Sequence, residues 1–289
     1  MIKKYTTLLL LFISLACRAQ EPIPAPHDLR QLNIVSGKTP TETAIAIGRQ
    51  LLGKPYVPYT LDVNPTEQLI VNVRAFDCTT YLETVLALSL AWHDTPDKIS
   101  GPTFELAFRS YLTKLRYRNG KIDGYASRLH YFSDWLRDNE RKGLLTDVTG
   151  EFAGSLLVAK PVSYMTTATY RYPQLSDPAT FRQMQLAEAS LNQQPFTFIP
   201  KKNIGLAEGQ LREGDIIMLT SARPGLDMKH VGLAVKQPNG RIHLMHASSE
   251  QGEVVITPYP LSDYVRWHKH LSGIRVARLR GSGLLTAVD

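Results

Sequence analysis

A change of hydrophobic periodicity near residue 205 is the feature that most constrains how this chain can fold. Before it, apolar residues recur at helical spacing, most clearly from Asp77 to Trp92. After it, short β-prone runs follow one another, and Pro238-Asn239-Gly240 is a strong hairpin signal between two of them. Helices followed by a meander of strands are typical of the α+β class, in which helices pack on an antiparallel sheet.

The same patterns place the individual elements. Thr41 is a candidate N-cap for the first helix, and Gly53 is a candidate stop. Helices are predicted at 41–52, 77–92, 103–117, 131–142 and 178–191. Strands are predicted at 67–75, 216–219, 230–235, 242–247, 254–257 and 274–278, with further β-prone stretches in 144–170.

The N-terminus has the composition of an export signal. Two lysines precede an apolar run that ends at Ala16, and small residues follow near position 19. Cleavage after Ala19 fits the small-residue rule, whereas lipoprotein processing at Cys17, with a lipid anchor there, is the alternative that stays open. We therefore expect an exported protein of the periplasm or cell envelope. The predicted organisation is a signal peptide at 1–19, a Pro-rich leader or linker at 20–40 and one domain at 41–289.

The charge of the chain is positive but modest. It is +7 over 289 residues, and removal of the predicted signal peptide takes away three basic residues and no acidic ones, which leaves +4. No dense stripe of Lys and Arg is visible, so we do not expect nucleic acid as the partner. A mild positive charge suits an anionic polymer such as a cell wall.

The number of cysteines limits the roles that a thiol can have in this protein. The chain has two cysteines, Cys17 in the export segment and Cys78 in the body. The mature body therefore holds one thiol and can form no internal disulfide, and an exported protein with an unpaired thiol needs a reason for it. Cys78 is either a buried, inert residue that acts as a small hydrophobe or a reactive group.

The position of Cys78 favours the reactive interpretation. With Asp77 as N-cap, Cys78 is the first residue of a helix, beside unsatisfied backbone N–H groups and the positive end of the helix dipole. That placement lowers the pKa of a thiol, while the charge of Asp77 acts in the opposite direction. The backbone N–H of Cys78 would also face a developing oxyanion.

Three of the eight histidines fall on predicted strands, and two of them, His230 and His246, are candidates for a base and its orienting partner. Alternation along 229–235 puts His230 on one face together with Gly232 and an alanine. We expect these small residues to leave room for the Cys78 helix to approach. On the next strand, His246 lies on the apolar face and would point toward His230, where a second polar group can fix the tautomer of the base.

Other interpretations of the same residues stay open at this stage. Cys78, His230 and His246 are possible zinc ligands, although no CxxC or HExxH spacing supports a metal site. A lone histidine on a strand is also more often a satisfied core or surface residue than a catalyst.

At these residues the chain resembles the NlpC-type cell-wall peptidases, a papain-like superfamily. Their ordered motifs are matched here by Asp77-Cys78, Gly214-Asp215, His230-Val231-Gly232 and His246, with Thr79 where the superfamily usually has Ser. The match is closer to the N-acetylmuramoyl-L-alanine amidase-like branch and covers roughly residues 40–280. The segments that carry it are 52–56, 76–83, 127–135 and 246–249.

The resemblance implies a papain-like fold, in which an N-terminal helical lobe carrying Cys78 packs on a C-terminal antiparallel sheet or half-barrel. It implies that Cys78 is the nucleophile, that His230 is the base and that His246 orients the base. It also implies residues that contact the substrate. These are Tyr56, whose hydroxyl would assist the oxyanion site, and Asp77, Ser127, Arg128, His130 and Tyr131.

The expected activity is hydrolysis of the N-acetylmuramoyl-L-alanine amide of peptidoglycan or muropeptides through a thioester. One alternative is a γ-D-glutamyl-diaminopimelate endopeptidase of the same superfamily. The other is a catalytically inactive wall-binding protein. We expect neither a cofactor nor a metal, and we expect the protein to act as a monomer.

Overall fold

The computed structural model describes residues 29, 32, 34, 36–95 and 101–281. The predicted signal peptide and Cys17 lie outside these residues. Within them, no helix is both long enough and apolar enough to cross a membrane. Leu29 and Ile34, which fall in the predicted leader, are buried in the main hydrophobic core, so this part of 20–40 belongs to the folded body.

The predicted helices all form, with ends shifted by three residues or fewer. They are α1 (Pro40–Gln50), α2 (Cys78–Asp94), α3 (Pro102–Arg116), α4 (Phe132–Arg141) and α6 (Pro178–Asn192). Three short helices were not predicted, and these are α5 (Tyr164–Thr167), α7 (Ile204–Ala207) and α8 (Leu261–Trp267).

Helix α2 is the central helix of the body. Asp77 caps it as predicted, because its side chain accepts a hydrogen bond from the Thr80 backbone N–H while the Thr80 side chain bonds back to the cap. Every residue from Thr80 to Ala91 is buried. Because α2 is buried on all sides, the elements packed around it fix its position.

In the part of the chain that the structure describes, eight strands form one sheet. They are β1 (Leu145–Asp147), β2 (Leu156–Val158), β3 (Phe196–Pro200), β4 (Ile216–Ser221), β5 (Met228–Lys236), β6 (Ile242–Ser248), β7 (Glu253–Ile256) and β8 (Leu271–Leu279). The order is β2-β3-β8-β4-β5-β6-β7, β1 also pairs with β8, and every pair is antiparallel. The α+β prediction is therefore confirmed, as is the hairpin between β5 and β6.

The predicted strand at 67–75 is wrong. This segment is irregular, and its backbone carbonyls are bonded by side chains instead of by a neighbouring strand. Arg116 donates to the carbonyl of Ile70, and the Tyr117 hydroxyl donates to that of Gln68. Buried backbone groups need partners of some kind, and a sequence pattern does not show that side chains supply them.

The sheet separates two hydrophobic cores. One face packs against the helical lobe through Val231, Leu233 and Val235 of β5, in the same cluster as Leu82 and Val85 of α2. The opposite face carries Ala234 of β5 with Ile242 and Leu244 of β6, and it packs against α7 and α8. The two faces of β5 therefore point to different halves of the molecule, as strand alternation requires.

Candidate active site

The two strand histidines meet on the sheet as the sequence predicted. The Nε2 atom of His230 lies 2.5 Å from Nδ1 of His246 on the neighbouring strand. The rings are perpendicular, with an interplanar angle of 89° and a centroid separation of 4.6 Å. With Nε2 of His230 engaged in this way, its Nδ1 is the ring nitrogen left to exchange a proton with another group.

Gly232 makes room for the neighbouring strand and not, as predicted, for the helix that carries Cys78. A Cβ atom at this position would lie 2.6 Å from the carbonyl oxygen of Met245 and 2.9 Å from Cβ of His246. The glycine therefore lets β6 and the His246 side chain approach β5 closely. The helix that carries Cys78 packs on the other face of β5, against Val231 and its alternating neighbours.

Cys78 lies at the start of α2 and lines the same cavity as the two histidines. It is the first helical residue, and its sulfur accepts a hydrogen bond from the backbone of Val231, the residue that follows His230. Cys78, His230, His246 and Tyr56 all line one cavity of about 230 Å³. The structure thus brings together four residues that are far apart in the sequence.

Burial shifts the pKa values of the thiol and of both imidazoles in the directions that favour their neutral forms. Burial, and secondly the charge of Asp77, raise the pKa of Cys78 to about 12, although the hydrogen bonds from Val231 and Thr79 act in the opposite direction. Burial is also the main reason that the pKa of His230 is lowered to about 4. A neutral imidazole beside a neutral thiol can accept the thiol proton as the sulfur attacks.

His246 is held by aromatic neighbours, and among the described residues it has no second polar partner. Its pKa lies well below the usual range because it is buried, with the charges of His230 and His268 as further causes. The Tyr264 ring lies 5.7 Å from its ring, and its Nε2 is buried without a hydrogen-bond partner among the described residues. The hydrogen bond to His230 is therefore its main polar contact, which suits an orienting residue.

Tyr56 completes the predicted group at the cavity. It pairs with Phe76, two residues before Cys78, in a short parallel bridge. Burial, followed by the charges of Cys78 and Asp77, raises the pKa of its phenol to about 12. The hydroxyl stays protonated at neutral pH and can donate a hydrogen bond to a developing oxyanion.

The other predicted substrate contacts do not line this cavity. Asp77 is committed to capping α2, with its Oδ1 atom 2.7 Å from the Thr80 backbone nitrogen. The Ser127 hydroxyl closes a local turn by donating to the carbonyl of Gly124 at 2.7 Å. The Tyr131 hydroxyl is buried and donates to Glu188 at 2.6 Å.

Arg128 and His130 are likewise bonded inside the protein. Arg128 is 6% exposed, and its Nη2 lies 2.5 Å from Asp62 while its guanidinium stacks on Tyr125. The Nε2 atom of His130 lies 2.9 Å from the carbonyl oxygen of Tyr125. Burial, and secondly the charge of Arg128, lower the pKa of His130 to about 3. Their role in substrate binding stays a prediction.

Several residues of the cavity were not predicted. They come from β4, β5, β6, β8 and α8 and from the turns that follow β6 and α8, and they are Leu219, Lys229, Ser248, Ser249, Glu250, Tyr264, His268, His270 and Leu271. Tyr264 and His268 are spaced four residues apart and stack with ring centroids 4.2 Å apart. That spacing in an aromatic and basic segment is the signal that could have identified them.

The zinc alternative gains no support from the arrangement of side chains. In the part of the chain that the structure describes, no group of three or more His, Cys, Asp or Glu side chains is placed to hold a metal ion.

Comparison with known proteins identifies the family. The model of the AmiA-like family, described as N-acetylmuramoyl-L-alanine amidase-like, matches residues 46–274. A crystal structure of an N-acetylmuramoyl-L-alanine amidase from Bacteroides uniformis is 39% identical, with a TM-score of 0.75, over 81% of this chain and 97% of that one. The chain therefore belongs to the N-acetylmuramoyl-L-alanine amidase-like family.

Two further structures show how far the similarity extends. A Bacteroides fragilis protein, provisionally named a xylanase, is 38% identical with a TM-score of 0.73, over 80% of this chain and 99% of that one. A Legionella pneumophila protein is 23% identical with a TM-score of 0.60, over 88% and 92% of the two chains, and shows the fold alone. No curated protein sequence matches the chain.

Proposed function

We propose that this protein is a cysteine-dependent amidase that hydrolyses the N-acetylmuramoyl-L-alanine amide of peptidoglycan fragments. The observation that carries the proposal is the cavity that Cys78, His230, His246 and Tyr56 share. Membership of an amidase-like family supports the choice of bond. The fold is proposed to be papain-like, because a buried helix presents its first residue, a cysteine, to a histidine on an antiparallel sheet.

The first half-reaction forms a thioester. The Cys78 sulfur attacks the lactyl carbonyl carbon of the muramic acid as its proton passes to Nδ1 of His230. Tyr56 and the backbone N–H of Cys78 donate hydrogen bonds to the oxyanion. His230 then returns the proton to the nitrogen of L-alanine, the carbon–nitrogen bond breaks, and the stem peptide leaves with a free amine.

The second half-reaction regenerates the thiol. His230 takes a proton from a water molecule, whose oxygen attacks the thioester carbonyl. The carbon–sulfur bond breaks, the muramic acid leaves as a free acid, and the sulfur recovers its proton from His230. His246 holds His230 in one tautomer and orientation through both steps, because the Nε2 atom of His230 bonds to Nδ1 of His246, and in the proposed tautomer Nε2 is the donor.

The place of action and the partners follow from the same proposal. The substrate is peptidoglycan or its muropeptide fragments, so the protein is proposed to act in the periplasm or cell envelope, as the predicted signal peptide indicates. The chain is proposed to act as a monomer, because one chain supplies Cys78, His230 and His246. A lipid anchor at Cys17 is the alternative to cleavage of the signal peptide after Ala19.

Digestion of defined muropeptides tests the function. The purified protein is incubated with an N-acetylmuramoyl tripeptide, and the products are analysed by mass spectrometry. We expect free N-acetylmuramic acid and an intact stem peptide with a free L-alanine amine. Cys78→Ala should fold with an unchanged circular dichroism spectrum and lose roughly ten-thousandfold or more in rate.

Other products would favour the rival functions. A cut inside the stem would indicate the endopeptidase. The absence of any product, together with a Cys78 thiol that no thiol-reactive probe labels, would indicate an inactive wall-binding protein. Full activity of the Cys78→Ala variant would contradict the proposed mechanism itself.

A further inference from the structure

An irregularity in β5 places two consecutive residues in the same cavity. Lys229 and His230 both line it, although neighbours in a regular strand point to opposite faces. The pairing with β4 explains this, because Leu219 lies opposite His230 whereas Thr220 lies opposite Met228, which leaves Lys229 as an extra residue. Bulges of this kind occur beside active sites, where they redirect a side chain.

The charges around the cavity are unequal. Besides the pair His230 and His246, its lining contains three basic side chains, Lys229, His268 and His270, and one acidic side chain, Glu250. His268 and Glu250 already form a pair, with Nε2 3.2 Å from the carboxylate oxygens. Among the described residues no acidic group forms an ion pair with Lys229, so its ammonium is the uncompensated charge next to His230.

We propose that Lys229 is a specificity-determining residue that binds a carboxylate of the substrate close to the scissile amide. The substrates are then acidic muropeptides with a free carboxylate on the second residue of the stem. This inference rests on the proposed amidase function. A γ-linked glutamyl residue has a free α-carboxylate, and it lies one residue from L-alanine, about 3.5 Å along an extended chain.

The position of Lys229 also links recognition to chemistry. Its charge is one of the causes that lower the pKa of His230, after burial. A bound carboxylate offsets that charge, so His230 becomes a stronger base only when an acidic substrate is present. An exposed ammonium that reaches a carboxylate inside a cavity forms a charge-assisted hydrogen bond, which is stronger than a neutral one.

A matched pair of substrates tests the inference. The two N-acetylmuramoyl tripeptides differ only in the α-carboxyl group of their γ-linked D-glutamyl residue, which is free in one and amidated in the other. For the unmodified protein we expect kcat/KM to be on the order of tenfold higher for the free acid. In Lys229→Met this ratio should fall to about one because the rate on the acid decreases, and Lys229→Arg should restore most of it.

A nearby lysine provides the control. Lys269 is exposed and lies between His268 and His270, but it does not line the cavity, so Lys269→Met should keep the full preference for the acid. Equal rates of the unmodified protein on both substrates, or a preference that survives in Lys229→Met, would overturn the inference. Cleavage within the stem of either substrate would overturn the proposed function instead, because the site of the cut is read separately from the ratio of rates.

Discussion

Two polar regions of this protein carry similar residues and differ in how their polar groups are bonded. The Ser127–Tyr131 segment has Arg128, His130 and Tyr131, and these side chains bond to Asp62, the Tyr125 carbonyl and Glu188. The cavity at the start of α2 has Cys78, His230 and Lys229, which face a space of about 230 Å³. In the first region the polar side chains bond to other groups of the protein, whereas in the second they face the cavity, where a ligand could bind them.

The difference shows what residue type alone does not reveal. A buried arginine with two carboxylates nearby stabilises the structure, because removal of either partner would leave an unpaired buried charge. A histidine that bonds to a second histidine through one nitrogen and lines a cavity is arranged to move a proton. Both regions lie in segments that resemble the same family, yet the structure assigns them different surroundings.

The largest effects are expected from the histidine pair. His230→Ala should lower kcat about a thousandfold, and His246→Ala about a hundredfold, because they remove the proposed base and its proposed orienting partner. His243 is the matched control, since it lies on the same strand as His246, is also buried and bonds to the Thr257 carbonyl at 2.7 Å. Steady-state kinetics with one muropeptide measures all three variants.

These variants separate a catalytic pair from buried structural histidines. His243→Gln should change kcat less than threefold while its melting temperature falls. Equal losses of kcat in His243→Gln and His246→Ala would show that the bond between the two histidines has no special role.

Tyr56→Phe should have a smaller effect on the same cavity. Removal of one oxyanion donor lowers kcat about tenfold to a hundredfold, with little change in KM, since the hydrogen bond forms in the transition state. The comparison of kcat with KM is the informative measurement. An increase in KM at constant kcat would mean that Tyr56 contributes to ground-state binding only.

Arg128→Met should affect stability far more than activity. Breaking a buried ion pair costs about 3–5 kcal/mol, and Arg128 is 8% exposed at its side chain. We expect a lower midpoint in urea and a kcat/KM within about threefold of the unmodified protein at a temperature where both are folded. A hundredfold loss of kcat/KM in the folded variant would mean that Arg128 contacts the substrate. The two regions would then not differ in the way described above.

The smallest expected effect is on the pH dependence of the free energy of unfolding, to which a histidine of each region contributes. The pKa of His230 is lowered to about 4 and that of His130 to about 3, from an unfolded value of about 6.5. The unfolded chain therefore binds more protons, so this stability is complete above pH 6.5 and is lost as the pH falls toward 4. In His130→Asn the free energy of unfolding should decrease less between pH 6.5 and 4.5. An unchanged slope would contradict the burial of His130.

The sequence predicts much of the helical lobe and of the histidine pair, for identifiable reasons. Asp77 is a strong cap and the apolar residues behind it have helical spacing, so α2 follows from local chemistry. His230 and His246 lie on adjacent strands joined by a clear turn signal, so their contact follows from alternation.

The remaining features depend on contacts that alternation and composition do not contain. The segment 67–75 reads as a strand, but Arg116 and Tyr117 bond its carbonyls. Gly232 makes room for His246 instead of for α2, which only the packing of the two faces reveals. The sequence does not predict Lys229 at the cavity, because regular alternation would place it and His230 on opposite faces of β5. A bulge interrupts that alternation.

Trapping of the thioester tests the central claim most directly. Hydroxylamine added during turnover competes with water for the acyl group on Cys78, so part of the product should be the hydroxamate of N-acetylmuramic acid, and Cys78→Ala should form none. A hydroxamate of a stem-peptide residue would mean that a different amide is cut. Steady hydrolysis with no hydroxamate at any hydroxylamine concentration would contradict an acyl-enzyme and with it the role of Cys78.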